Sequence, residues 1–195
     1  MPCLNIRLSV LVCALVVASF NYACAATLVT NGGFETGDFA GWTQIGNTDA
    51  SGVGCGVARF VHSGNCSAFF GPRGSVGGIS QDLATTPGAT YQVTFWLQPD
   101  GLMPSQFNAT FGSIVLTSIT NPAFTDLAFI EFSFSVTATA ANTTLAFNFR
   151  DDPGFLGFDD VSVNQTPLPA TLPLFASGLG AFGLLGWGRK KKQTA

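Results

Sequence analysis

Basic residues are scarce in this chain and unevenly placed. Eight of its 195 residues are Lys or Arg. All eleven Asp and Glu lie between Glu35 and Asp160, a stretch with Arg59, Arg73 and Arg150 but no Lys, so it carries −8. A body this acidic excludes nucleic acid and anionic membrane surfaces as partners. Histidine is nearly absent: His62 stands alone in a Gly/Ser segment with no nucleophile motif around it. There is no Gly-x-Ser-x-Gly, no phosphate loop and no His-Glu-x-x-His. Asp151 and Asp152 are adjacent, which is not the two-sided carboxyl pair a glycosidase needs. These absences read as a protein that is not an enzyme. Long uncharged apolar runs are confined to the two ends.

The first 25 residues read as a secretory signal. Arg7 supplies the positive end, Leu8 to Phe20 the apolar core, and Ala23-Cys-Ala25 the small residues that signal peptidase reads. Cleavage after Ala25 is expected. It removes Cys3, Cys13 and Cys24 and leaves Cys55 and Cys66. Two Cys eleven apart in an exported chain are expected to form one disulfide, worth roughly 3 kcal/mol by loop entropy. A metal pair is the rival reading, and only His62 lies near enough in sequence to join it.

The other end has three parts: a Pro-rich hinge at Pro167, Pro169 and Pro173, an apolar run from Leu172 to Trp187, and the cations Arg189, Lys190, Lys191 and Lys192. A helix over about 171–188 covers roughly 27 Å, enough to cross a hydrocarbon core. The cations place the C-terminus in the cytoplasm and the body outside. Pro167, Leu168, Pro169 and Ala170, followed by the apolar run and the basic end, resemble the PEP-CTERM sorting signal of Gram-negative bacteria in its Val-Pro-Leu-Pro-Ala variant. Thr166 stands where that variant has Val. The resemblance implies an exosortase-type membrane transpeptidase as partner and a transient stay in the inner membrane. Delivery to the cell surface or extracellular matrix would follow. Leu168-Pro-Ala-Thr171 also matches the first four positions of the LPxTG signal of sortase substrates, but Leu172 replaces the Gly.

Between the ends, residues 26–164 alternate with period two. Tyr91, Val93, Phe95 and Leu97 oppose Gln92, Thr94, Trp96 and Gln98. Ile130 to Val136 and Leu145 to Phe149 alternate likewise, and Ile79, Gln81 and Leu83 make a shorter case. Turn signals such as Pro99-Asp-Gly101, Asn121-Pro122 and Asp152-Pro-Gly154 separate these runs. The pattern predicts an all-β, antiparallel β-sandwich of eight to ten strands in two sheets.

Asn31-Gly-Gly-Phe-Glu35, Trp42, Ile79-Ser-Gln81, Thr90 to Trp96 and Gly157-Phe-Asp-Asp-Val-Ser-Val163 occur in the order seen in galactose-binding-like jelly rolls. The nearest pattern is that of carbohydrate-binding modules of the cellulase and xylanase type. The resemblance implies a buried Trp42 and a structural Ca²⁺ held by Glu35 with Asp159 or Asp160, helped by carbonyls near Gly32. By alternation alone, Asp159 shares a face with Val161 and Val163 and points inward. Trp96 is the candidate sugar-stacking ring, with Gln98, Asn148 and Arg150 as polar contacts from neighbouring strands. A local ion pair of Arg150 with the following Asp residues is the plainer reading of that Arg.

The expected role is an exported envelope or matrix protein with a structural or adhesive function. The alternative is a carbohydrate-binding module for a neutral extracellular polysaccharide.

Overall fold

The computed structural model describes residues 26–57, 60–122, 128–152 and 154–167. The signal segment and Leu168 to Ala195, with the expected membrane helix and basic tail, lie outside the described residues. Among the described residues no helix is long and apolar enough to cross a membrane.

Ten strands run through the described residues: β1 Thr43–Gly46, β2 Ser51–Cys55, β3 Cys66–Phe70, β4 Gly77–Ala84, β5 Thr90–Gln98, β6 Ser105–Phe111, β7 Ile114–Thr120, β8 Ile130–Thr137, β9 Asn142–Asp151 and β10 Leu156–Gln165. They form two five-stranded sheets, ordered β1-β4-β9-β6-β7 and β2-β3-β10-β5-β8. Each ladder is antiparallel. The two-sheet sandwich expected from the alternation is therefore present.

The core lies between the sheets and is largely phenylalanine. Phe34, Phe70, Phe95, Phe107, Phe111, Phe147, Phe149 and Phe158 are all fully buried. Phe70 of one sheet stacks on Phe149 of the other at 3.9 Å, and Phe158 packs on Phe147 at 4.7 Å. Each such ring contributes roughly 1.5–3 kcal/mol by leaving water. Trp42 is buried as expected. It stacks on Phe34, and its Nε1–H donates to the Asn31 carbonyl at 3.1 Å. The opening Asn-Gly-Gly-Phe segment lies against β10: the Val161 N–H donates to the Gly32 carbonyl at 2.9 Å. A Cβ on Gly32 would come within 2.0 Å of the Val161 carbonyl oxygen, so a side chain there would push the segment off the last strand.

One expectation about β10 fails. Asp159 does not share a face with Val161 and Val163. A β-bulge between Asp159 and Ser162 puts two residues of β10 opposite one of β5, and Asp160 takes a positive φ of 49° there. Asp159 pairs directly with Trp96, while Phe158 pairs with Leu97 in the core. The extra residue reverses the facing, so Asp159 belongs to the outer face of its sheet.

Candidate functional site

The outer face of the second sheet holds a row of four paired positions. Gly52 of β2 pairs with Phe69 of β3, Phe69 with Gly157 of β10, and Gly157 with Gln98 of β5. Two glycines in the row leave space above the sheet. The Phe69 ring lies over Gly52, where a Cβ would stand 2.7 Å from Cζ. Phe155, just before β10, lies over Gly71 in the same way, with its Cδ1 at 2.7 Å from such a Cβ. Phe69 and Phe155 meet edge to face at 5.6 Å.

Phe60 and Val57, from the β2–β3 loop, close the far side. The Ser67 hydroxyl donates to the Phe60 carbonyl and pins that loop to β3. The result is a groove of about 560 Å³ lined by Val57, Phe60, Phe69, Phe155, Gln98 and Asp100, with Gly157 also in its lining. Phe60 is 48 %, Phe69 36 % and Phe155 46 % exposed, a concentration of aromatic surface that a soluble domain does not leave uncovered without use.

The β2–β3 loop is clamped at its base. Cys55 and Cys66 are cross-strand partners joined by a disulfide, as the sequence predicts. Beyond that clamp, His62 stacks on Trp96 at 3.7 Å, and its Nδ1 lies 2.6 Å from an Asp160 oxygen. The Ser63 hydroxyl donates to the other Asp160 oxygen. Asp159 sits beneath the loop, fully buried, and accepts N–H bonds from His62, Ser63 and Asp160. Burial outweighs these donors and raises its pKa to about 6.

The candidate residues from sequence divide between two surfaces. Trp96 and Gln98 are on the outer face just described, with Gln98 in the groove and one face of Trp96 covered by His62. Asn148 and Arg150 are on β9, in the other sheet, so they are not neighbours of β5. Arg150 is engaged by Asp152 through Nε at 2.9 Å and a second nitrogen at 2.7 Å. That pairing, with the Gly74 N–H, holds the Asp152 carboxyl at about 2. Arg150 is thus part of a local ion pair. Phe60, Phe69, Phe155 and Asp100 were not foreseen. Phe155 carried a legible signal, because an aromatic directly after Asp152-Pro-Gly154 sits in a turn where no core position needs it.

Glu35, Asp159 and Asp160, the residues expected to hold calcium, lie on either side of Gly33 and accept hydrogen bonds from the protein. One Glu35 oxygen accepts the N–H groups of Asn65 and Cys66, and the Asp159 oxygens accept three N–H bonds. Among the described residues no three His, Cys, Asp or Glu side chains converge as a metal site. Protein N–H and O–H groups thus meet one Glu35 oxygen and the oxygens of Asp159 and Asp160. Pro167 closes the described chain. Leu168, Pro169 and Ala170 of the sorting motif, and Arg189 to Lys192, fall outside it.

No curated protein sequence matches the chain. Solved structures do. TmCBM61, solved with β-1,4-galactotriose, is 18 % identical, with a TM-score of 0.61 over 73 % of this chain and 100 % of its own. The CBM22-1 xylan-binding domain of Paenibacillus barcinonensis Xyn10C is 16 % identical, with a TM-score of 0.52 over 74 % of this chain and 97 % of its own. The CBM22-1–GH10 modules of Clostridium thermocellum xylanase 10B, solved with xylohexaose, are 18 % identical, with a TM-score of 0.54 over 73 % of this chain and 29 % of theirs. These likenesses show a shared fold. The model of the carbohydrate binding domain family that covers families 4 and 9 matches residues 26–154, and the chain belongs to that family.

Proposed function

We propose that this chain is an exported carbohydrate-binding module that holds a neutral glycan in the groove of Phe60, Phe69 and Phe155. The observation that carries this reading is the exposed aromatic set itself. Pyranose rings present apolar C–H faces that stack on aromatic side chains, while their hydroxyls need a few fixed polar groups. Gln98, Asp100 and Ser67 supply such groups along the same groove. No Lys or Arg is among its described lining, and the body around it is acidic, which disfavours uronic or sulfated chains. Family membership supports the binding-module reading better than the structural or adhesive role ranked first from sequence. Export through a signal cleaved by signal peptidase, and sorting by an exosortase through the C-terminal motif, complete the proposal.

The probes are β-1,4-galactan and xylan, the ligand types named for the similar structures, together with a panel of neutral glycans. Calorimetry on Phe69→Ala and Phe155→Ala is expected to show about tenfold weaker binding for each, roughly 1.4 kcal/mol. Trp96→Ala, whose ring carries His62, is expected to cost less. Binding that survives the Phe69→Ala/Phe155→Ala double change would remove the groove from the proposal. Silence across the whole panel would return the chain to the structural reading.

A further inference from the structure

Among the described residues, two buried side-chain oxygens have no hydrogen-bond partner: Ser105 Oγ and Asp151 Oδ2. They are neighbours. Ser105 of β6 and Asp151 of β9 are directly opposed in the ladder, and both are at least nine-tenths buried. Their strands alternate so that both side chains enter the space between the sheets, in line with Phe107 and Phe149. Opposed residues have Cβ atoms about 4.5–5.5 Å apart, so the two oxygens face one space. Asp100, from the β5–β6 loop, adds a carboxylate beside it, since Gly154, whose N–H Asp151 accepts, lies directly against an Asp100 oxygen.

The surroundings keep these oxygens in place. Asp100 accepts N–H bonds from Leu102 at 2.9 Å and Phe155 at 3.2 Å, and Asp151 Oδ1 accepts the Gly154 N–H at 3.2 Å. A Cβ on Gly154 would stand 1.7 Å from an Asp100 oxygen, so the loop closes tightly over the pair. Among the described residues the charges that act on Asp151 are the carboxylates of Asp100 and Asp152, and Arg150, on the opposite face of β9, is held by Asp152. A carboxylate and a hydroxyl buried without a countercharge, Asp151 and Ser105, are costly, and with the half-buried Asp100 carboxylate beside them this oxygen set suits a hard cation.

We propose that Asp100, Asp151 and Ser105 bind a calcium ion, which ties the β5–β6 loop to the ends of β6 and β9. Backbone carbonyls and water would complete its oxygen shell. This site is separate from Glu35, Asp159 and Asp160, whose oxygens already meet N–H and O–H donors. It shares Asp100 with the lining of the groove, while Ser105 and Asp151 are not part of that lining.

The test uses the full chain, stripped with EDTA and dialysed, then titrated with calcium chloride at pH 7.5. The expected result is one calcium per chain by calorimetry and a melting temperature raised by about 5 °C at saturation. Asp151→Asn should abolish both, Ser105→Ala should weaken binding at least threefold, and Glu35→Gln should change neither. If Asp151→Asn fails to fold, Ser105→Ala decides. Absence of any calcium response in the unmodified chain overturns the proposal, and so does a response that survives both changes or is lost with Glu35→Gln. In the first of those cases a shared proton between the two carboxyls is the remaining way to relieve their repulsion.

Discussion

Asp159 shows how burial and hydrogen bonding compete at one position. Three N–H groups favour its carboxylate, yet burial raises its pKa to about 6. The unfolded value lies near 3.9. The folded state therefore takes up the proton first. The cost of the buried charge is present in full above about pH 6 and is relieved as pH falls towards 4. Wild type should gain stability relative to Asp159→Asn across that window, by about 2–3 kcal/mol. Melting curves from pH 7 to 4.5 on both proteins check this, and parallel curves would refute it. At this scale the sequence was partly legible. Trp42 and the Cys55–Cys66 pair were readable, because a Trp beside the opening motif and two lone Cys in an exported chain have few alternatives. The facing of Asp159 was not, because alternation assumes an unbroken strand and one extra residue at Asp160 inverts it.

The β2–β3 loop is the element on which the outer face depends. Its base is the Cys55–Cys66 bridge, and its tip is held by Asp159, Asp160 and the Trp96 ring. Reducing the bridge frees the loop between two cysteines eleven positions apart and should cost roughly 3 kcal/mol. Because Phe60 and Val57 belong to this loop, glycan affinity should fall along with stability. Parallel melting and binding measurements with and without a thiol reductant check this; unchanged affinity in the reduced, folded protein would detach the loop from the groove. The long alternating strands β4, β5, β8 and β9 were legible, since each buries one face against the other sheet. The short edge strands β1 and β2 were not, because Thr43–Gly46 and Ser51–Cys55 hold few apolar residues and owe their form to their neighbours.

For the whole molecule, charge and apolar surface are separated along the chain. An acidic sandwich stands between two apolar ends of which only the C-terminal one carries a basic cluster. Exported protein recovered from its own host is expected to begin at Ala26 and to end between Pro169 and Thr171, two protons lighter for the disulfide. Intact mass spectrometry on separated cell fractions checks this. A species running to Ala195 in the inner membrane would make the tail a permanent anchor.

The sequence alone determined the all-β class, the disulfide and the acidic character of the body. Each of these depends on local pattern or on counts. The tertiary structure decided the groove and the polar cluster beneath it. Phe155 lies far from Phe60 and Phe69 in the chain and meets them only because β3 and β10 are adjacent in one sheet. Asp100, Ser105 and Asp151 come together where β6 and β9 end beside the β5–β6 loop. Strand order is a matter of which apolar faces bury together, and no local pattern records it.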